Sequence, residues 1–151
     1  MSLLLHSTTN DDIRKHAKAT YPDECCGFFF GEDGRDRKIT QSREVKNSKQ
    51  GDRRRRFEIS PDDYRKAEKY ALEHDIDLLG VYHSHPDHPA EPSEHDRNVA
   101  LPYFSYIIVS VVHGETNGIR SWQLNEERQF EEENIEVTEF TTLNKSISNH
   151  G

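Results

Sequence analysis

The chain lacks most of what marks a secreted or membrane-bound protein. It has two cysteines in 151 residues, and these are adjacent, Cys25 and Cys26. Neighbouring cysteines are poorly placed to bridge each other, so a disulfide framework is excluded. No apolar run approaches the roughly 20 residues that cross a bilayer. The opening Met1-Ser2-Leu3-Leu4-Leu5-His6 has no basic start and is too short for the apolar region of a signal peptide. A soluble, cytoplasmic protein with no membrane partner is the expectation. Positive charge is scarce too: 20 Lys and Arg stand against 28 Asp and Glu, a formal net charge of −8. General nucleic-acid binding needs the opposite field. Apolar residues make up only 32% of the chain, so the core must be lean. With no repeat and no linker, the length suits one domain over 1–142, followed by a disordered tail over 143–151.

What is present falls into alternating helical and extended stretches. Thr9 or Asn10 can cap a helix that runs to about Ala19, with Ile13 and Ala17 on its inner face. Tyr21-Pro22 breaks it. Cys25 to Gly31 is apolar throughout and reads as a central strand covered on both sides, with Glu24 at its mouth. Arg37 to Val45 reads as a more exposed antiparallel strand, and Phe57-Glu58-Ile59 as a short one. Ser60-Pro61-Asp62-Asp63 opens a helix to about His74, with Tyr64, Ala67, Ala71 and the adjoining Leu72 toward the core. Ser105 to Val112 is the most strand-like stretch, followed by a turn over 114–118 and an alternating strand over 119–124. A possible edge strand covers 134–140. The class is mixed α/β, without regular βαβ alternation.

The chemistry concentrates in residues 83–96, HSHPDHPAEPSEHD. Leu78, Leu79, Val81 and Tyr82 make the preceding run a buried strand, so His83 and His85 project from one face of its tip. Pro86 stops the ladder there. Ser93 then caps a helix in which Asp96 is the third residue and can turn back toward the strand end. Two neutral nitrogens and one carboxylate suit a single Zn²⁺ ion, and three protein ligands leave a fourth position open. Each piece also has an ordinary reading. Either histidine can be a hydrogen-bonded strand-end residue, and Ser93 with Asp96 can be a plain capping box. The conjunction of all four beside Pro86 favours the metal.

His83-Ser84-His85-Pro86, six residues, Ser93, two residues and Asp96 resembles the H-x-H-P-x₆-S-x-x-D signature of the JAMM (MPN-plus) metalloproteases. Glu24, in Pro22-Asp23-Glu24-Cys25-Cys26-Gly27-Phe28, fits the glutamate that this family carries on an earlier strand. The likeness spans roughly residues 21–125. It implies an MPN-type fold, a mixed and mostly antiparallel sheet flanked by helices. It also implies His83, His85 and Asp96 as zinc ligands, Glu24 as general base and Ser93 as donor to the developing oxyanion. The reaction implied is hydrolysis of a peptide or isopeptide bond. The compact Glu-Cys-Cys-Gly and His-Pro-Ala-Glu-Pro-Ser wording is similar to stand-alone bacterial members. The expected substrate is therefore the flexible C-terminal tail of a ubiquitin-like or sulfur-carrier protein. The competing class is a non-catalytic MPN-type scaffold, disfavoured by the complete ligand set.

The remaining reactive residues read blandly. No cation flanks Cys25 or Cys26 to lower a thiol pKa, so both are taken as strand packing. His88 and His95 are read as solvated or supporting the ligands, and His6, His16, His74, His113 and His150 as surface. Arg53-Arg54-Arg55-Arg56 reads as a solvated loop, with contact to phosphates or an acidic protein surface as the alternative. Nothing in the sequence fixes the oligomeric state.

Overall fold

Leu3 and Leu5, in a stretch the sequence reading left without structure, are fully buried. They belong to a strand, β1 (Ser2–His6), in a computed structural model that describes residues 2–139. The tail expected over 143–151 lies outside the described residues. Helix α1 (Ser7–Thr20) follows directly, and its cap is the His6 side chain, which accepts from the Thr8 N–H at 3.1 Å. Thr9, expected as a cap, is instead buried in the first turn. Next come β2 (Cys26–Glu32), β3 (Arg37–Val45), α2 (Pro61–Glu73), β4 (Asp77–Pro86) and α3 (Glu94–Val99). Strands β5 (Ser105–Val112), β6 (Glu115–Leu124) and β7 (Phe130–Thr138) complete the described chain.

The strands close into a ring in the order β1-β3-β2-β4-β5-β6-β7. Pairing is mixed: β1 runs parallel to β3 and β7, and β4 parallel to β5, while the other neighbours are antiparallel. The sheet is mixed and mostly antiparallel as expected, but it closes on itself where a sheet flanked by helices was expected. The stretch expected at an edge is part of β7, which is hydrogen-bonded on both sides, to β6 and to β1. Alternation alone does not distinguish an edge strand from a half-buried strand that closes a ring.

One helix fills the ring and another covers it. α1 packs against β1, β3 and β4 through β7, and its Ile13 and Ala17 join Leu3, Leu5, Phe29, Ile39, Tyr82 and Val109 in one core. α2 packs on β4, and its Ala67 and Ala71 join Cys26, Phe28, Phe30 and Val81 in a second core. Leu72, expected to adjoin that stripe, is 84% exposed. β2 lies between the two cores, covered on both faces as its apolar run predicts. Phe57 and Ile59 are buried in the second core without forming the short strand that their alternation suggested. The turn between β5 and β6 is tighter than expected, with His113 at φ 51° and Gly114 at φ 82°. Two successive positive φ values suit a two-residue hairpin turn.

β4 carries the site, and its placement depends on close packing. A Cβ on Gly80 would lie 1.9 Å from the Ser105 carbonyl oxygen, so only glycine lets β4 and β5 pair there. Beyond Gly80, Val81 faces the α2 core and Tyr82 the α1 core. His83 and His85 continue the Val81 face. The strand does not stop before Pro86, which still pairs in register with Val111. Parallel ladder bonds are slanted, so a residue without an N–H can occupy the last position.

Candidate metal centre

The two histidines of β4 and the aspartate of α3 meet as the spacing predicts. His83 Nε2 and His85 Nε2 are 3.2 Å apart. Asp96 Oδ2 lies 3.3 Å from the first and 3.2 Å from the second. All three residues are buried, and they are the one metal-competent cluster among the described residues. Donors at 2.0–2.1 Å from a tetrahedral zinc ion stand about 3.3–3.4 Å from one another. The triangle has the size of one face of that tetrahedron.

Hydrogen bonding alone does not account for the triangle. His85 Nδ1 lies 2.9 Å from the Pro89 carbonyl oxygen, and a carbonyl only accepts, so Nδ1 carries the ring hydrogen. With neutral rings, the edge between His85 Nε2 and Asp96 Oδ2 then sets two lone pairs against each other. A cation shared by the three atoms removes the conflict. The residues therefore fit a zinc ion, with His83, His85 and Asp96 as the side chains that would hold it.

The local sequence fixes each ligand. Ser93 caps α3: its Oγ accepts from the Asp96 N–H at 3.0 Å, and Asp96 Oδ2 accepts from the Ser93 N–H at 2.8 Å. The capping box and the candidate metal donor thus share one carboxylate. Burial would raise the Asp96 pKa, but the neighbouring His83 and the hydrogen bond from the Ser93 N–H outweigh it and hold the carboxyl below its ordinary value. Burial lowers the His83 pKa and keeps that ring neutral. Both groups are in ligand form. The His83 ring stacks on Phe57 at 4.4 Å between centroids, and its Nδ1 is buried without a partner among the described residues.

Glu24 precedes β2 and opens onto the same cleft, which has a volume of about 540 Å³ and is lined by Glu24, Arg55, His85, His88, Glu91 and Ser93 among others. Its carboxylate Oε1 is buried with no hydrogen-bond partner. Desolvation first, then the charge of Asp96, push its pKa up to about 9. A lone buried carboxyl aimed at a cleft is costly for folding alone and characteristic of a group kept for chemistry. Its backbone is tied to the histidine strand one residue along: the Cys25 N–H donates to Ser84 Oγ at 2.8 Å. Ser93 Oγ accepts a bond but donates none among the described residues, leaving its hydrogen free for the cleft.

Several supporting residues carried no sequence signal. Asn47 Nδ2 donates to the carbonyls of Glu24 and Arg56, each at 3.1 Å. Trp122 Nε1 donates to the Ala90 carbonyl at 3.1 Å, and Ser110 Oγ to the His88 carbonyl at 2.5 Å. Only the place of Ser84 between the two histidines hinted at a role. His88 is exposed and lines the cleft, and His95 meets Arg56 Nη1 at 3.2 Å; neither joins the triangle. His16, expected at the surface, is half-buried with Nδ1 2.7 Å from the Tyr82 hydroxyl. Burial drives the Cys25 thiol pKa up to about 12 and raises that of Cys26 as well, which opposes a thiolate nucleophile.

Comparison with known proteins finds relatives in sequence and in fold. The family described as prokaryotic homologs of the JAB domain matches residues 6–125. The chain is 28% identical over 114 residues to a desampylase of Pyrococcus furiosus, covering 76% of each protein. It is 32% identical over 93 residues to tail tip assembly protein K of Escherichia phage N15. That match takes in 62% of this chain and 34% of the phage protein, so the chain spans about a third of that relative's length. Among solved structures, a protein from Desulfitobacterium hafniense superimposes with a TM-score of 0.81 at 28% identity, covering 93% of this chain and 95% of its own. One from Salinibacter ruber gives 0.70 at 38%, covering 90% and 92%. A JAB1/MPN domain protein from Archaeoglobus fulgidus gives 0.55 at 19% identity, covering 91% and 97%, a likeness of fold.

Proposed function

The chain belongs to the family of prokaryotic homologs of the JAB domain, and on that footing we propose that it is a zinc-dependent peptidase or isopeptidase. Its substrate is the flexible C-terminal tail of a ubiquitin-like or sulfur-carrier protein. The observation that carries the reading is the triangle of His83 Nε2, His85 Nε2 and Asp96 Oδ2, with edges of 3.2–3.3 Å, whose His85 lines a cleft together with Glu24. The relative named desampylase, matched over three quarters of both chains, supports the substrate class.

Each residue has a distinct task. His83, His85 and Asp96 would hold one zinc ion. When bound, that ion supplies Lewis acidity, bringing the pKa of water from about 16 to about 7. Glu24 accepts the proton of the attacking water and returns it to the leaving amine. Burial raises the Glu24 pKa in the metal-free chain, and a cation held beside it would oppose that shift and leave a carboxylate able to take the proton. Ser93 Oγ–H donates to the oxygen of the carbonyl under attack, on which negative charge develops. Ser84, through the Cys25 N–H, keeps the Glu24 segment in register with the histidine strand.

A non-catalytic scaffold is the second reading, supported by the assembly role in the phage relative's name. Incubating the zinc-loaded protein with candidate sulfur-carrier and ubiquitin-like proteins, and weighing the products by mass spectrometry, separates the two. The proposal expects loss of a defined tail fragment or of a linked partner. Intact masses throughout, with zinc bound, would favour the scaffold.

A further inference from the structure

Four consecutive arginines, Arg53 to Arg56, occur in a chain of net charge −8, and one of them, Arg55, lines the cleft. All four are exposed, and Arg55 shares that lining with Glu24, His85 and Ser93. Their backbone is fastened to the site. The Glu24 N–H donates to the Arg53 carbonyl at 2.7 Å, Asn47 Nδ2 reaches both the Glu24 and the Arg56 carbonyls, and Arg56 contacts His95. The guanidinium groups remain in solvent. Arg55 meets Asp52 at 3.7 Å, with the two side chains 82% and 57% exposed. Arg53 and Arg54 make no ion pair among the described residues. On the other wall, Glu91 is engaged by Arg120 at 3.2 Å, which offsets the acid facing the run.

We propose that Arg53, Arg54 and Arg55 form a substrate-selecting lip that receives the acidic side chains of the protein whose tail enters the cleft. The inference rests on the hydrolase reading and names the chemistry of its substrate. The net negative charge of the chain disfavours an acidic partner overall, and the arginine run opposes that repulsion beside the cleft, so the lip favours delivery of the tail there. Guanidinium groups match carboxylates in a planar, two-pronged geometry. Exposed pairs of this kind contribute to selectivity and encounter rate and respond strongly to salt.

The probes are two fluorescent peptides that carry a Gly-Gly followed by a short C-terminal extension, one with glutamates upstream and the other with glutamines at the same positions. Fluorescence anisotropy with the full chain is expected to give about tenfold tighter binding of the glutamate peptide, several modest exposed pairs acting together. The preference should vanish between about 0.15 M and about 1 M salt, where the screening length falls from roughly 8 to 3 Å. It should also vanish in the Arg53→Ala/Arg54→Ala/Arg55→Ala variant, with an unchanged circular-dichroism spectrum, and weaken in Arg54→Glu alone. Equal binding of both peptides, or a preference that survives these substitutions, overturns the lip. Tighter binding of an RNA oligonucleotide of similar length overturns it too, in favour of a general polyanion site. Preferential binding without cleavage of either peptide supports the lip and counts against the hydrolase. Cleavage of both peptides with equal KM supports the hydrolase and sinks the lip.

Discussion

The Nδ1 of His85 lies 2.9 Å from the carbonyl oxygen of Pro89, and this contact decides which ring nitrogen is left for a cation. Pro89 sits in the middle of three residues whose carbonyls are all engaged: Ser110 of β5 donates to His88 and Trp122 of β6 to Ala90. The loop after β4 is thereby fixed to the two following strands. The ligand orientation is inherited from the closed sheet, since a partner of this kind holds the imidazole in one tautomer and direction.

Glu24→Gln tests the proton-transfer role. Glutamine keeps the shape and cannot take the proton. Zinc content by elemental analysis should match that of the wild type, while kcat on a cleavable substrate should fall about 10²- to 10⁴-fold. Turnover at the wild-type rate would reject Glu24 as the base.

The same residue gives a pH dependence in the metal-free protein. Burial and Asp96 raise its pKa from 4.5 to about 9. Between those values the folded chain binds a proton that the unfolded chain releases, so its contribution to stability is full below about 4.5 and is lost as pH rises through about 9. After chelator treatment, Glu24→Gln should melt above the wild type at pH 8 and close to it at pH 5. A melting-temperature difference that does not change with pH would contradict the buried, protonated carboxyl.

Ser93→Ala separates a cap from a donor. Losing the cap should cost about 0.5–2 kcal/mol, read from thermal or denaturant unfolding. Losing the O–H should lower kcat about 10²- to 10³-fold with zinc retained. A variant that is less stable but fully active would leave Ser93 as a cap alone.

How much of this was legible depended on sequence distance. The ligand triangle is built from one strand tip and the next helix cap, both local features, and residues 83–96 contain all of it. Glu24 is far away in sequence, and only its resemblance to a family motif pointed to it; its position opposite the histidine strand depends on the pairing of Cys26 with His83. The ring was not legible, because closure rests on Leu3 meeting Arg37 and Ile135 across the sheet. A start with three leucines gives no hint of such partners. Asn47, Phe57 and the inward-turned His16 were missed for the same reason: their roles are set by what packs against them.

Zinc stoichiometry tests the central claim most directly. Protein purified, loaded with zinc and dialysed should hold one ion per chain by elemental analysis, and His85→Ala and Asp96→Ala should hold none, while His88→Ala matches the wild type. A wild type that retains no zinc, or an Asp96→Ala variant that retains as much, would contradict the account.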